Sequence, residues 1–340
     1  MGPPSFNASR GPTRRRSDRG CRHLTVRAGV IGVGMMGSHH ARVYHELEET
    51  ELVAVCDVNE RRVKEVAKKY DVNWYTDHRK MLQEEDLDGV SICVPTKYHA
   101  DIAVDALEAG VHVLVEKPIA DTIENARRII DAAEDHGLKL AVGHIERFNP
   151  SVMKAKEVVS RGDLGDIVVM SAKRVGPYPP RIRDVGVIVD LAVHDIDVMR
   201  YLAETEVEEV YAAAGSAITR TQEDYAEVML RFEGDPTGLI EVNWLTPHKE
   251  RRLEVTGREA ILEIQYIEQE LRLMDREGVK RFNIRKEEPL KLELRDFAES
   301  ILENRDPLVD GEAGLQALRT AVAALKSVKE DRPVSLEEVE

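Results

Sequence analysis

Val26-Arg27-Ala28-Gly29-Val30-Ile31-Gly32-Val33-Gly34-Met35-Met36-Gly37 decides the fold. A short, mostly apolar run leads straight into a GxGxxG turn, and helical spacing follows. Strands covered on both faces read as such continuous runs, whereas half-wet strands alternate. In this context each glycine has a task. The first allows a tight strand-to-helix turn, the second lets a pyrophosphate approach the backbone, and the third lets the helix pack on the strand. The helix N-terminus then offers its free N–H groups to the phosphates. Gly32, Gly34, Met35, Met36 and Gly37 are therefore predicted to hold a dinucleotide. Asp57 ends the next apolar run, twenty residues after Gly37, where a carboxylate can accept a hydrogen bond from a ribose 2'-hydroxyl. A free carboxylate there repels a 2'-phosphate, so the expected cofactor is NAD rather than NADP. Arg61 and Arg62 open the following helix and read as a solvated face.

Working outward, the same grammar continues to about residue 147. Apolar runs at 52–56, 90–94, 111–115 and 138–142 alternate with amphipathic stretches, the pattern of repeated βαβ units. Gly110 and Gly137 stand where left-handed C-terminal caps are expected. The prediction is an α/β protein whose residues 25–147 form a doubly wound parallel sheet of the Rossmann type. Beyond it, Ala226, Val228, Leu230 and Phe232 alternate with polar residues, as do Ile240, Val242 and Trp244. That is an open antiparallel sheet with one wet face, in an α+β domain spanning 148–310. A helix is expected over 187–203, another along Leu290, Leu294, Phe297 and Ile301, and a last one over 311–330 packing back on the first domain.

The chain has 340 residues, 42% of them hydrophobic, and a net charge of -15. A disordered or fibrous chain is excluded. Residues 1–24 hold six Arg against one Asp, a basic tail without hydrophobic periodicity that reads as disordered, as a transit-like segment or as an over-long gene product. The remainder, at -20, argues against a nucleic-acid or anionic-membrane surface. No run approaches the roughly 20 apolar residues of a membrane span. Cys21, Cys56 and Cys93 make no disulfide framework, which suits the cytoplasm.

Two further segments follow predicted strands: Pro95-Thr96-Lys97-Tyr98-His99 and Glu116-Lys117-Pro118. Strand carboxyl ends are where an open α/β sheet binds ligand. With the glycine turn and Gly186-x-x-x-Asp190-x-x-x-His194, they resemble the Gfo/Idh/MocA sugar and cyclitol dehydrogenases, in matching order from about residue 26 to 330. The resemblance implies that Pro95, Thr96, His99, Glu116 and Lys117 serve the NAD side. It also implies that Lys117 and His194 are the catalytic pair, that Asp190 holds substrate and that no metal is needed. A secondary alcohol loses a hydride to nicotinamide while a base removes the hydroxyl proton, and either Lys117 or His194 can be that base. Asp190, His194 and Asp197 fall on one helix face at i, i+4 and i+7. The family's second domain covers the nicotinamide end and often makes the oligomer contact, implying a homodimer or homotetramer through the C-terminal sheet.

Gly143-His144-Ile145-Glu146-Arg147-Phe148-Asn149-Pro150 is similar to members acting on nucleotide sugars, as is Arg174-Val175-Gly176-Pro177 leading to Asp184-Val185-Gly186. The implied reaction is oxidation of C3 of UDP-N-acetylglucosamine to the 3-keto sugar. Arg147, Arg174, Arg181 and Arg183 are then the cations for a diphosphate, with Asn149 beside them, unless these arginines pair with carboxylates. Val187 and Ile188 stand where many relatives have glycines. The alternatives are a dehydrogenase of a free sugar or inositol, and a non-catalytic dinucleotide sensor.

Overall fold

The computed structural model describes residues 25–179, 185–219 and 221–339. The tail 1–24, with Cys21, and Arg181 and Arg183 lie outside them. β1 (Val26–Ile31), β2 (Thr50–Cys56), β3 (Asn73–Tyr75), β4 (Gly89–Ile92), β5 (His112–Glu116) and β6 (Leu140–Gly143) form one parallel sheet. Its order is β3-β2-β1-β4-β5-β6. Helices α1 (Met35–Glu46), α2 (Glu60–Tyr70), α3 (His78–Glu84), α4 (His99–Glu108) and α5 (Ile123–His136) make the crossovers. β3 escaped the sequence reading because Asn73-Trp74-Tyr75 is short and largely exposed. The helix ends follow local chemistry. The Thr122 hydroxyl accepts from the Asn125 N–H at 3.1 Å to start α5, and Gly137 ends it at φ +62°. Strand order reverses between β1 and β4, which opens a crevice at their carboxyl ends.

After α6 (Pro150–Ser160) comes β7 (Ile167–Pro177), then a π-helical turn (Ile188–Ala192) running into α7 (Val193–Ala203). The strands β8 (Val207–Gly215), β9 (Tyr225–Phe232), β10 (Thr237–Asn243), β11 (Leu245–Gly257), β12 (Ile261–Gln265), β13 (Glu270–Asp275) and β14 (Gly278–Arg281) follow. Then come α8 (Pro289–Glu303), α9 (Gly311–Glu330) and β15 (Val334–Ser335). The second sheet runs β14-β13-β12-β11-β7-β10-β9-β8-β15. It is mixed rather than wholly antiparallel, because β10 lies parallel to β7 with Val242 opposite Arg174. The helical segment and the β8–β9 hairpin intervene between those two strands and reverse the chain direction. One face buries Met170, Ala172, Leu230, Ile240, Leu253 and Val255. On the other, Tyr211, Met229 and Leu239 make an exposed row across β8, β9 and β10, with Tyr225 nearby.

The sequence reading placed α8 in the second domain. Its Leu290, Leu294 and Phe297 instead share a core with Ala28, Val30, Tyr44 and Leu52 of the first. Burying each such large side chain is worth roughly 1.5–3 kcal/mol. α9 touches α5 and β6 on one side and α7 and β8 on the other. Among the described residues no helix is long and apolar enough to cross a membrane.

Candidate active site

The glycine turn meets three separate steric demands. Gly32 has φ +87°, and a Cβ there would stand 2.8 Å from the Cys93 backbone. A Cβ on Gly37 would lie 1.7 Å from the Gly32 carbonyl oxygen, so only glycine lets α1 seat on the turn. Gly34 faces open space, with no atom within 4 Å of such a carbon. The space is a cleft of about 770 Å³ lined by Gly32, Gly34, Met35, Met36, Asp57 and Pro95, among others. Asp57 accepts hydrogen bonds from the Val33 N–H at 2.9 Å and the Asn59 N–H at 2.8 Å. Arg62 also lines the cleft and reaches Asp57 at 3.3 Å, so it is not simply a solvated residue, whereas Arg61 is exposed. An open glycine, a helix N-terminus and a carboxylate at the end of β2 suit the pyrophosphate and ribose of NAD.

The other residues predicted for the cofactor side divide. Thr96 begins a single helical turn and does not line the cleft. His99 is buried between the carbonyls of Val94 (2.9 Å) and Pro118 (3.0 Å), where it ties two ligand-facing loops together. Burial holds its imidazole below the usual 6.5 against those carbonyls, so it is neutral and donates to one of them at a time. Glu116 turns inward to His40 Nε2 at 3.0 Å. Burial pushes its carboxyl up, but the His40 bond and the charges of His40 and Lys117 outweigh that and hold it below the ordinary range.

Lys117, joined to Pro118 by a cis peptide bond, leaves the end of β5 for the second domain. Its ammonium donates to the Asp190 carbonyl at 2.8 Å and the Asp190 carboxylate at 3.2 Å. Asp190 sits in the π-helical turn, a wider coil often found at functional sites. One turn on, His194 has a buried Nδ1 without a hydrogen-bond partner. Burial, then the charges of Lys117 and Arg174, hold its imidazole well below 6.5. It is therefore neutral near pH 7, with a ring-nitrogen lone pair able to accept a hydrogen bond from a hydroxyl. A second cavity opens beside Asp190, walled by Arg174, Gly176, Trp244, Lys249 and Arg251 among others.

This order of parts recurs in known proteins. Residues 26–144 match the family described as "Oxidoreductase family, NAD-binding Rossmann fold", and residues 152–263 match the "GFO/IDH/MocA C-terminal domain". The chain belongs to the Gfo/Idh/MocA family. As such it is an NAD-dependent dehydrogenase acting on a CH–OH group. It is 30% identical to the myo-inositol 2-dehydrogenase of Thermotoga maritima over 333 residues, 92% of this chain and 99% of that protein. It is 29% identical to the UDP-N-acetylglucosamine 3-dehydrogenase of Acidithiobacillus ferrooxidans over 316 residues, 90% of this chain and 98% of that protein. A solved structure of the latter enzyme superposes with a TM-score of 0.84, at 29% identity, over 91% of this chain and 99% of the other.

Within this Gfo/Idh/MocA dehydrogenase, several predicted substrate residues need correction. Arg147 is buried with Nε and Nη2 on the two oxygens of Asp197, at 2.8 and 2.7 Å. Asp197 thus turns into the core and leaves the face it was expected to share with Asp190 and His194. Arg174 touches the second cavity, but its donors go to Asp195 (2.6 and 3.2 Å) and Glu146 (2.8 Å). Burial lowers its affinity for the proton, yet the charges of Asp195 and Glu146 prevail and raise it well above the ordinary value. Asn149 is buried, caps α6 through the Ser151 N–H and donates to the Tyr266 carbonyl at 3.0 Å. These residues brace the loop between β6 and α6. Forked pairing with buried carboxylates wins because an unpaired guanidinium in the interior is too costly.

Three residues were missed. His40 falls in step with Gly37, Ala41 and Tyr44, the buried stripe of α1, a signal the sequence did carry. With Cys93 and Glu116 it brings three donor atoms within 4.8 Å of one another. Burial, then the charge of Glu116, pushes the Cys93 thiol up, which disfavours the thiolate a metal would need. Lys249 and Arg251 share the period-two face of Leu253 and Val255, but Lys249 is exposed and Arg251 half-buried, and both line the second cavity.

Proposed function

We propose that this chain oxidises a secondary hydroxyl of a nucleotide sugar, C3 of UDP-N-acetylglucosamine, to the 3-keto sugar in the cytoplasm. The observation that carries the chemistry is the Lys117 ammonium held on Asp190 near the neutral His194, with Asp190 lining the second cavity. NAD, when bound, supplies the hydride acceptor. The contacts for it are Gly32, Gly34, Met35, Met36, Gly37, Asp57 and Pro95. Asp190 and Lys117 hold the reacting hydroxyl, with the ammonium stabilising negative charge on the oxygen as the proton leaves. His194 receives that proton, and the carbon that loses hydride becomes the ketone carbon. Similarity to a UDP-N-acetylglucosamine 3-dehydrogenase through both domains supports the sugar assignment.

A free cyclitol is the second reading, favoured by the 30% identity to a myo-inositol 2-dehydrogenase. Purified protein with NAD should reduce the cofactor on addition of UDP-N-acetylglucosamine, but not of free N-acetylglucosamine or myo-inositol, and Lys117→Ala should abolish the signal. Turnover of myo-inositol in its place would transfer the assignment. We further propose a homodimer or homotetramer joined through the row of Tyr211, Met229 and Leu239. A monomer by light scattering would refute it.

A further inference from the structure

A diphosphate brings about two negative charges; of the four arginines expected to meet them, Arg147 and Arg174 are committed to buried carboxylates, and Arg181 and Arg183 lie outside the described residues. Among the described residues, the cations left to meet it beside Asp190 are on β11. We propose that Lys249 and Arg251 of β11 form the seat for the substrate's diphosphate, an inference that rests on the nucleotide-sugar reading above. Both belong to the strand face that buries Leu253 and Val255, and both wall the cavity shared with Asp190, the residue holding Lys117. The seat is therefore next to the reacting hydroxyl.

Their electrostatic situation sets them apart. Lys249 has no acidic partner among the described residues. The nearest acid to Arg251 is Glu146 at 3.7 Å, and that same oxygen already accepts from Arg174 at 2.8 Å. Burial, then the charge of Arg174, depresses the Arg251 guanidinium, the mark of a cation short of an anion. Among the described charged residues walling the cavity, Arg174 is held by Asp195 and Glu146 and Asp190 by Lys117, which leaves Lys249 and Arg251 as the cations without a close carboxylate of their own. Two more features suit a ligand. A Cβ on Gly176 would lie 3.2 Å from Lys249 Cγ, so the glycine leaves the lysine stem its place against β7. Trp244, in the same wall, is buried with its indole N–H unpartnered.

The test begins with NADH-saturated protein, whose own phosphate seat is filled. Calorimetric titration with inorganic pyrophosphate should show binding to the wild type, weakened at least tenfold in Lys249→Ala and in Arg251→Gln, with NADH affinity and melting temperature preserved. In turnover of UDP-N-acetylglucosamine, each variant should raise KM tenfold or more, the loss falling on KM rather than kcat. Lys249→Arg should restore most of it. Turnover with unaltered KM in both variants overturns the seat and leaves the nucleotide-sugar reading standing. Oxidation of myo-inositol and no UDP-sugar overturns that reading instead. Pyrophosphate binding abolished by the variants then supports a seat for another phosphate-bearing sugar, and no pyrophosphate binding to the wild type overturns it.

Discussion

Arg174→Met tests the reassignment of the buried arginines most directly. The methionine keeps most of the apolar volume and removes five donors. It leaves Asp195, wholly buried, without the fork that occupies both its oxygens, and takes the 2.8 Å contact from Glu146. Breaking a buried pair by removing one partner costs about 3–5 kcal/mol. With a urea dependence of about 3 kcal/mol per molar, the unfolding midpoint should fall by about 1–1.7 M. The fluorescence of buried Trp244, packed edge-on against Tyr178, is the natural reporter. Adding Asp195→Leu removes the stranded charge, while Glu146 keeps Arg251 at 3.7 Å, so the double variant should regain about 2 kcal/mol. An unshifted midpoint in Arg174→Met, together with a raised KM, would refute the structural role and return Arg174 to the substrate.

Gly34→Ala should keep wild-type stability yet weaken NAD binding at least tenfold by isothermal titration, because only the cleft receives its methyl group; Gly37→Ala should lose both. Lys117→Met should lower kcat by about 10²–10⁴ in a steady-state assay with melting temperature little changed, and a smaller loss would leave His194 to act alone. His144 is wholly buried, and burial, opposed by Asp197 and aided by Arg147, holds its imidazole down to about 4. A depressed histidine stabilises the fold above its unfolded pKa of 6.5, and that contribution fades as pH falls from 6.5 to about 4. It amounts to about 3 kcal/mol, of which about 2 is gone by pH 5. His144→Leu should therefore lose less stability than wild type between pH 7 and pH 5 in urea titrations, and equal slopes would count against a neutral buried ring.

The cofactor half was legible because local rules dictate it. The glycine turn, Asp57 and the strand ends are short-range patterns whose geometry follows from sterics at a handful of positions. Lys117, Asp190 and His194 were found as motif members, yet nothing in the residues alone says that the Lys117 ammonium bonds to Asp190 seventy-three positions away. Charge type could not separate Arg147 and Arg174 from Arg251. All are arginines in polar-looking segments, and only tertiary packing decides which are spent on Asp195, Asp197 and Glu146. The parallel β7–β10 pairing was likewise invisible, since alternation records a wet face and not a strand direction.

α8 has a consequence for how the chain is made. On a ribosome the last strand of the first sheet, ending at Gly143, emerges some 160 residues before α8 ends at Glu303. At about 5–20 residues per second, Ala28, Val30, Tyr44 and Leu52 wait roughly ten to thirty seconds for the helix that finishes their core. For that interval the nascent chain carries an uncovered apolar flank beside its finished glycine turn. Its synthesis should lean on holding chaperones, and a message cut short after β14 would yield a product that binds them and never lets go.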